Sequence, residues 1–132
     1  MSAESVVREF CAGAGKRDLE LLRGLLADDV LYLNVGVNRS EGIEATLANV
    51  AGQWAAFSER YDYELVNIAV NGNVVLTERI DRVQPAGGAP VAPVPVMGRF
   101  EVVNERITKW IDYFDSALVP KLFAGESGDL LP

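Results

Sequence analysis

Apolar positions at the start of the chain recur at helical intervals. Ala3, Val6, Val7, Phe10, Cys11 and Ala14 fall on one face of a helix, and Ser2 stands where an N-cap belongs. Gly13 and Gly15 help to end it. Asp18 heads a second helix with Leu19, Leu22, Leu25 and Leu26 on its buried side. Val30 to Val35 reads as a short strand. Ser40 is then expected to cap a third helix running through Ile43, Leu47, Val50, Ala51 and Trp54. From about Arg60 the apolar period shortens to two. Tyr61 to Val70 and Val74 to Val83 flank Asn71-Gly72-Asn73, a hairpin turn. Val91 to Val102 makes another strand, whose Pro93 and Pro95 push its first half to a sheet edge or a bulge. Asn104-Glu105 turns the chain into Ile107 to Phe114, and Ser116 to Phe123 forms a short helix with Pro120 in its first turn. Two helices, a strand, a helix and a four-strand antiparallel meander describe an α+β fold, with helices packed on one face of a long curved sheet.

Length and composition bound what such a fold does. The 132 residues read as one domain spanning 1–132, and 49% of them are hydrophobic, enough for an ordinary core. The Pro- and Gly-rich stretch Gln84 to Pro95 reads as a turn between strands rather than a linker. Nineteen acids against twelve bases give a net charge of −7, which argues against binding nucleic acid or an anionic membrane. There is no histidine, so Ser-His-Asp and Cys-His machinery and His-rich zinc sites are excluded. A single cysteine, Cys11, forms no internal disulfide, and the acidic start lacks the features of a signal peptide. The chain is therefore expected to be soluble and cytoplasmic.

Three polar pairs stand two residues apart on predicted strands: Tyr32 with Asn34, Arg79 with Asp81, and Trp110 with Asp112. Alternate strand residues share a face, about 6.5 Å apart at Cα, so long side chains in each pair can converge. Val75, Thr77 and Val83 share the Arg79–Asp81 face, and Phe114 shares that of Asp112. Charges bracketed by apolar groups point to a lined cavity rather than a wet surface. Two readings remain open on patterning alone: a structural ion pair with Tyr32 and Asn34 facing solvent, or a site. Glu78, Arg82 and Asp115 fall on the opposite faces and read as surface charges, while Trp110 and Cys11 also suit plain core packing. If the pairs converge, two carboxylates near one arginine are driven to different protonation states, one holding a proton to donate and the other accepting one. With Tyr32 and Asn34 to aim a water, that inventory suits hydration of a small apolar electrophile. It suits phosphate or metal chemistry poorly, so no metal site is expected.

At these residues the sequence resembles the limonene-1,2-epoxide hydrolase family. The resemblance rests on Leu31-Tyr32-Leu33-Asn34, on Thr77-Glu78-Arg79-Ile80-Asp81 and on Trp110-Ile111-Asp112-Tyr113-Phe114-Asp115, and runs from the first helix to about Phe123. It implies an NTF2-like α+β cone, with a curved, mostly antiparallel sheet of five or six strands and three to four helices around an apolar pocket. It also implies a homodimer, no cofactor, and one-step hydration of a small hydrophobic, cyclic or terpene-like epoxide. Asp81 then protonates the epoxide oxygen, Asp112 deprotonates water, Tyr32 and Asn34 hold that water, and Arg79 bridges the carboxylates. Val83, Val94, Val96 and Phe114 are the expected apolar wall by strand parity, joined by Trp110, and by Cys11 through the resemblance. The proline-rich segment at Pro90 to Pro95 departs from the family pattern and reshapes one wall, which bears on substrate more than on chemistry. Two other functions fit the same fold. One is an isomerase- or cyclase-like proton transfer beside a carbonyl, which Arg79 between two acids disfavours. The other is a non-catalytic small-molecule-binding module.

Overall fold

The computed structural model describes residues 1–87 and 89–125; Gly88 of the proline-rich stretch and the last residues of the expected 1–132 domain lie outside them. Helix α1 (Ala3–Gly15) begins at Ser2, whose hydroxyl accepts from the Ser5 N–H, and α2 (Leu19–Leu25) begins at Asp18, whose carboxylate accepts from the Leu21 N–H. Both caps satisfy amides that the first turn leaves unpaired. Strand β1 (Leu26–Asn34) starts earlier than the apolar run suggests, with an irregular pairing between Leu26 and Leu31 that absorbs the polar Asp28 and Asp29.

The next element corrects the sequence reading. Ser40 caps nothing: it lies in a short strand, β2 (Asn38–Glu41), opposite Tyr32 of β1, and its hydroxyl accepts a hydrogen bond from Asn49. Gly42, at φ 90°, occupies the cap position of α3 (Ile43–Ala56) without any side-chain hydrogen bond. A left-handed residue is needed for the sharp strand-to-helix corner, and glycine supplies it.

Strands β3 (Arg60–Asn71) and β4 (Val74–Gln84) form the expected hairpin, closed by the Asn71–Val74 pair with Gly72 at φ 63°. Strand β5 (Ala92–Val103) pairs with β4 from Ala92 to Glu101, but with β6 (Arg106–Tyr113) only from Met97 onwards. Pro93 and Pro95 therefore lie on a free edge, where a missing N–H costs no ladder bond. Asn104 and Glu105, both at positive φ, make the β5–β6 turn, and α4 (Leu118–Phe123) follows. The six strands run in the order β2-β1-β6-β5-β4-β3, antiparallel except for β1 against β6. The α+β expectation holds, with one strand, β2, beyond the five read from periodicity. Among the described residues no helix is long and apolar enough to cross a membrane.

One face of this sheet is buried under the helices. Phe10 of α1 meets Phe100 and Trp110 edge-on, at ring-centre distances of 5.7 and 4.8 Å, and Trp110 stacks on Tyr32 at 3.8 Å. On that face the register sets Asn34, Asp112, Gly98 and Thr77 in one row across β1, β6, β5 and β4. Glycine is required in that row. A Cβ on residue 98 would stand 2.5 Å from Thr77 Oγ1, 3.1 Å from Asp112 Oδ1 and 3.2 Å from Arg79 Nη1. Arg79 on β4 and Asp112 on β6 are two strands apart, roughly 9.5 Å, and their side chains meet over the bare β5 backbone. Gly98→Ala is therefore expected to lower stability by about 1–3 kcal/mol in urea unfolding, as overpacking does elsewhere. Adding Thr77→Ala, which removes the nearest atom, should recover part of it; an unchanged midpoint in Gly98→Ala would contradict this packing.

Candidate active site

The three sequence pairs converge. Buried positions alternate along β4, so Arg79 and Asp81 point inward with Val75, Thr77 and Val83. Trp110 and Asp112 do the same on β6, and Tyr32 and Asn34 on β1. Tyr32 is 1% exposed and Asn34 7%, so the solvent-facing alternative for this pair does not hold.

Arg79 is wholly buried and spans both carboxylates. Its Nε and Nη2 donate to Asp81 Oδ1 and Oδ2 at 3.1 and 3.0 Å, while Nη1 and Nη2 donate to Asp112 Oδ1 and Oδ2 at 3.1 and 3.0 Å. The planar fork of a guanidinium is suited to this double bidentate contact. The Tyr63 ring, 4.4 Å from the guanidinium carbon, covers one face of the cation. Burial works against the charge on Arg79, but Asp112 and Asp81 outweigh it and hold its pKa well above the ordinary value.

The two acids have different surroundings. Asp112 accepts a third hydrogen bond, from the Trp110 indole N–H at 3.0 Å, which Asp81 lacks. Burial pushes the Asp81 carboxyl up to about 6, Asp112 adds to the rise, and the Arg79 charge and hydrogen bonds pull the other way. Donors directed at a carboxylate favour its ionised form, and burial without extra donors favours the acid.

A cavity of about 120 Å³ opens beside the carboxylates. Its apolar wall includes Val83, Val94, Val96 and Phe114, which strand parity singled out, with Leu118 and Leu122 of α4 closing one side. Asn34, Asp81 and Asp112 also reach it. Two sequence expectations are corrected here. Trp110 and Cys11 are not among the cavity-lining residues: Trp110 lies one layer down, between Phe10 and Tyr32, and Cys11 is 3% exposed in the core beneath α1. Strand or helix parity gives the face a side chain takes but not its depth. Burial pushes the Cys11 thiol up to about 11, so it stays protonated and unreactive.

The structure adds residues that sequence patterning missed. Gln53 on α3 lines the cavity and donates to the Tyr32 hydroxyl at 2.9 Å, and Tyr32 donates to Asn34 Oδ1 at 3.1 Å. Tyr61 donates to Gln53 Oε1 at 3.0 Å, and Asn34 Nδ2 donates to Asn38 at 2.9 Å. Asn49 and Gln53 stand four apart on α3, a spacing that marks one helical face and offered a usable signal. Tyr61 and Tyr63 repeat the two-residue strand spacing of the other pairs. Among the described residues no cluster of three or more His, Cys, Asp or Glu side chains could hold a metal ion.

Known proteins share both fold and sequence with this chain. Epoxide hydrolase EphG of Mycobacterium tuberculosis is 31% identical over 113 residues, covering 83% of this chain and 70% of EphG. The structure of an M. tuberculosis LEH-like epoxide hydrolase superposes with a TM-score of 0.77 at 32% identity, over 93% of this chain and 87% of the other. An NTF2-like protein of unknown function from Burkholderia pseudomallei superposes with a TM-score of 0.84 at 20% identity, over 92% and 98% of the two chains, and shows the fold alone. The sheet and helices are thus an NTF2-like α+β cone. The family model of the limonene-1,2-epoxide hydrolase catalytic domain matches residues 1–123, a span that takes in every residue of the Asp81–Arg79–Asp112 cluster and the Tyr32–Asn34 pair, and the chain belongs to that family.

Proposed function

We propose that this member of an epoxide hydrolase family hydrates a small hydrophobic epoxide, cyclic or terpene-like, to a vicinal diol in one general acid–base step without a cofactor. The observation that carries the reading is Arg79 bound to both buried carboxylates while only Asp112 receives a further donor. Asp112 is the base and takes a proton from water. The water oxygen bonds to one epoxide carbon as the carbon–oxygen bond of the ring breaks. Asp81, whose burial raises its pKa to about 6, delivers its proton to the departing oxygen, so the diol leaves neutral. Return of the proton from Asp112 to Asp81 resets the pair. Arg79 touches no substrate and keeps the two acids in unlike charge states.

Tyr32 and Asn34 orient the water. Each retains hydrogen-bonding capacity after its contacts within the protein: one lone pair on the Tyr32 oxygen and one N–H on Asn34. Val83, Val94, Val96 and Phe114 surround the carbon skeleton. The cavity is smaller than the roughly 300–1,000 Å³ typical of drug-sized ligands, which favours a compact substrate.

We also propose the family's homodimer, on the face of the sheet away from the helices. Val66, Leu76, Met97 and Tyr113 are each roughly half exposed there. Single exposed apolar side chains are common, but Val66, Met97 and Tyr113 line one depression with Ile80 and Pro95, and such a group marks an interaction surface.

Two expected outcomes test these readings. Given limonene-1,2-epoxide and cyclohexene oxide, the purified protein should form a vicinal diol in metal-free buffer, and Asp81→Asn and Asp112→Asn should each lose at least about 100-fold in rate while staying folded. Near-normal turnover in either variant removes the acid–base assignment. Light scattering should give twice the chain mass for the wild type and the chain mass for Met97→Asp; a wild-type monomer at micromolar concentration ends the dimer proposal.

A further inference from the structure

We infer that Gln53 is a positioning residue for the attacking water, acting through the Tyr32 hydroxyl and the Asn34 amide; the inference rests on the role proposed above for that pair. The evidence is the direction of the hydrogen bonds around it. Tyr61 donates to Gln53 Oε1 at 3.0 Å, which turns Gln53 Nε2 towards Tyr32 and Asn49, where it donates at 2.9 and 3.0 Å. A phenol has a single proton. With the Gln53 N–H already on its oxygen, Tyr32 directs that proton to Asn34 Oδ1, at 3.1 Å. Asn34 must then keep its nitrogen on the far side, donating to Asn38 Oδ1 at 2.9 Å. Asn49 donates to the same Asn38 oxygen and to Ser40 Oγ, both at 3.0 Å, which closes the network onto β2.

The chain of donors runs one way, from Tyr61 through Gln53 and Tyr32 to Asn34. Burial raises the pKa of both tyrosines, so each keeps its proton. Gln53 reaches the cavity, but both of its N–H groups are committed to Tyr32 and Asn49, so it is not a donor to substrate. What it supplies is order. A water held between Asp112 and Asn34 adopts one orientation only while the Asn34 amide has one. Without the Gln53 donor, the Tyr32 proton is free to turn away and the Asn34 amide to flip. The fraction of water aimed at the epoxide carbon then falls, although the binding of the apolar substrate is untouched.

The test is a double-mutant cycle on whichever of limonene-1,2-epoxide and cyclohexene oxide the wild type hydrates faster. Gln53→Met matches the side chain in length and lacks the donor. It should lower kcat roughly tenfold with KM changed by less than about twofold. In a Tyr32→Phe background the same substitution should lower kcat by less than about twofold, because its route of action is already gone. If thermal unfolding shows that Gln53→Met does not fold, Gln53→Glu, which keeps length and acceptor but loses the amide donor, takes its place in the cycle at neutral pH. A wild-type kcat in the single variant, or a full tenfold loss again in the Tyr32→Phe background, overturns the inference. The two levels separate cleanly: fast Asp81→Asn or Asp112→Asn enzymes overturn the acid–base reading itself. Slow aspartate variants beside a fast Gln53 variant overturn only the role given to Gln53.

Discussion

A cation with no access to water must be neutralised where it lies, and Arg79 is such a cation. Its burial is tolerable because two carboxylates take four of its N–H bonds at 3.0 to 3.1 Å. With both acids ionised the cluster carries one net negative charge in an apolar interior. With one protonated it is neutral. Asp81, the less hydrogen-bonded of the two, is an acid whose burial pushes its pKa up to about 6. The proposed division of labour between acid and base rests on the cost of burying charge, and the same cost binds the fold to the site. Removing one carboxylate leaves a neutral Arg79–aspartate pair but takes away two of the four acceptors that the buried guanidinium uses, and a buried donor left unmet costs about 1–3 kcal/mol elsewhere.

Everything around the cluster serves its geometry. Gly98 leaves the β5 backbone bare so that Arg79 reaches over it. Phe10, Phe100, Trp110 and Tyr32 form an aromatic floor that fixes the Trp110 indole beneath Asp112. Helix α3 carries Gln53 to the Tyr32 hydroxyl, and α4 brings Leu118 and Leu122 over the mouth of the cavity. Asn34 and Gln53 reach the cavity from β1 and α3, whereas Val83, Val94 and Val96 reach it from β4 and β5, beside Asp81. Changes to the wall at Val83, Val94 or Val96 therefore reshape the substrate space without touching the residues proposed to hold water.

Much of this was legible before any coordinates. A strand side chain's face is set by parity, so Arg79 with Asp81 and Trp110 with Asp112 could be paired on shared faces and their apolar neighbours pointed inward, and the Ser2 and Asp18 caps follow from local hydrogen bonding. The reading failed where the information is not local. Strand β2 has no apolar alternation in Asn38-Arg39-Ser40-Glu41 and exists through its pairing with β1, so Ser40 looked like a cap. Trp110 shares the inward face of Asp112 but lies deeper, and Cys11, given to the cavity through the resemblance, is buried in the core, because neither parity nor resemblance reports depth. The need for Gly98 depends on the β4–β5–β6 register, and the reach of Gln53 on how α3 crosses β1. The first leaves no mark in the neighbouring sequence, and for the second the four-residue spacing of Asn49 and Gln53 marks only a shared helical face.

Infrared titration of the buried carboxyl stretch reads the proton on Asp81 without an intermediary. The account predicts a protonated-carboxyl band in the wild type that is present at acidic pH, fades as pH rises through about 6, and is missing from Asp81→Asn. The same band persisting in Asp81→Asn, or absent from the wild type on the acid side of that value, would contradict it.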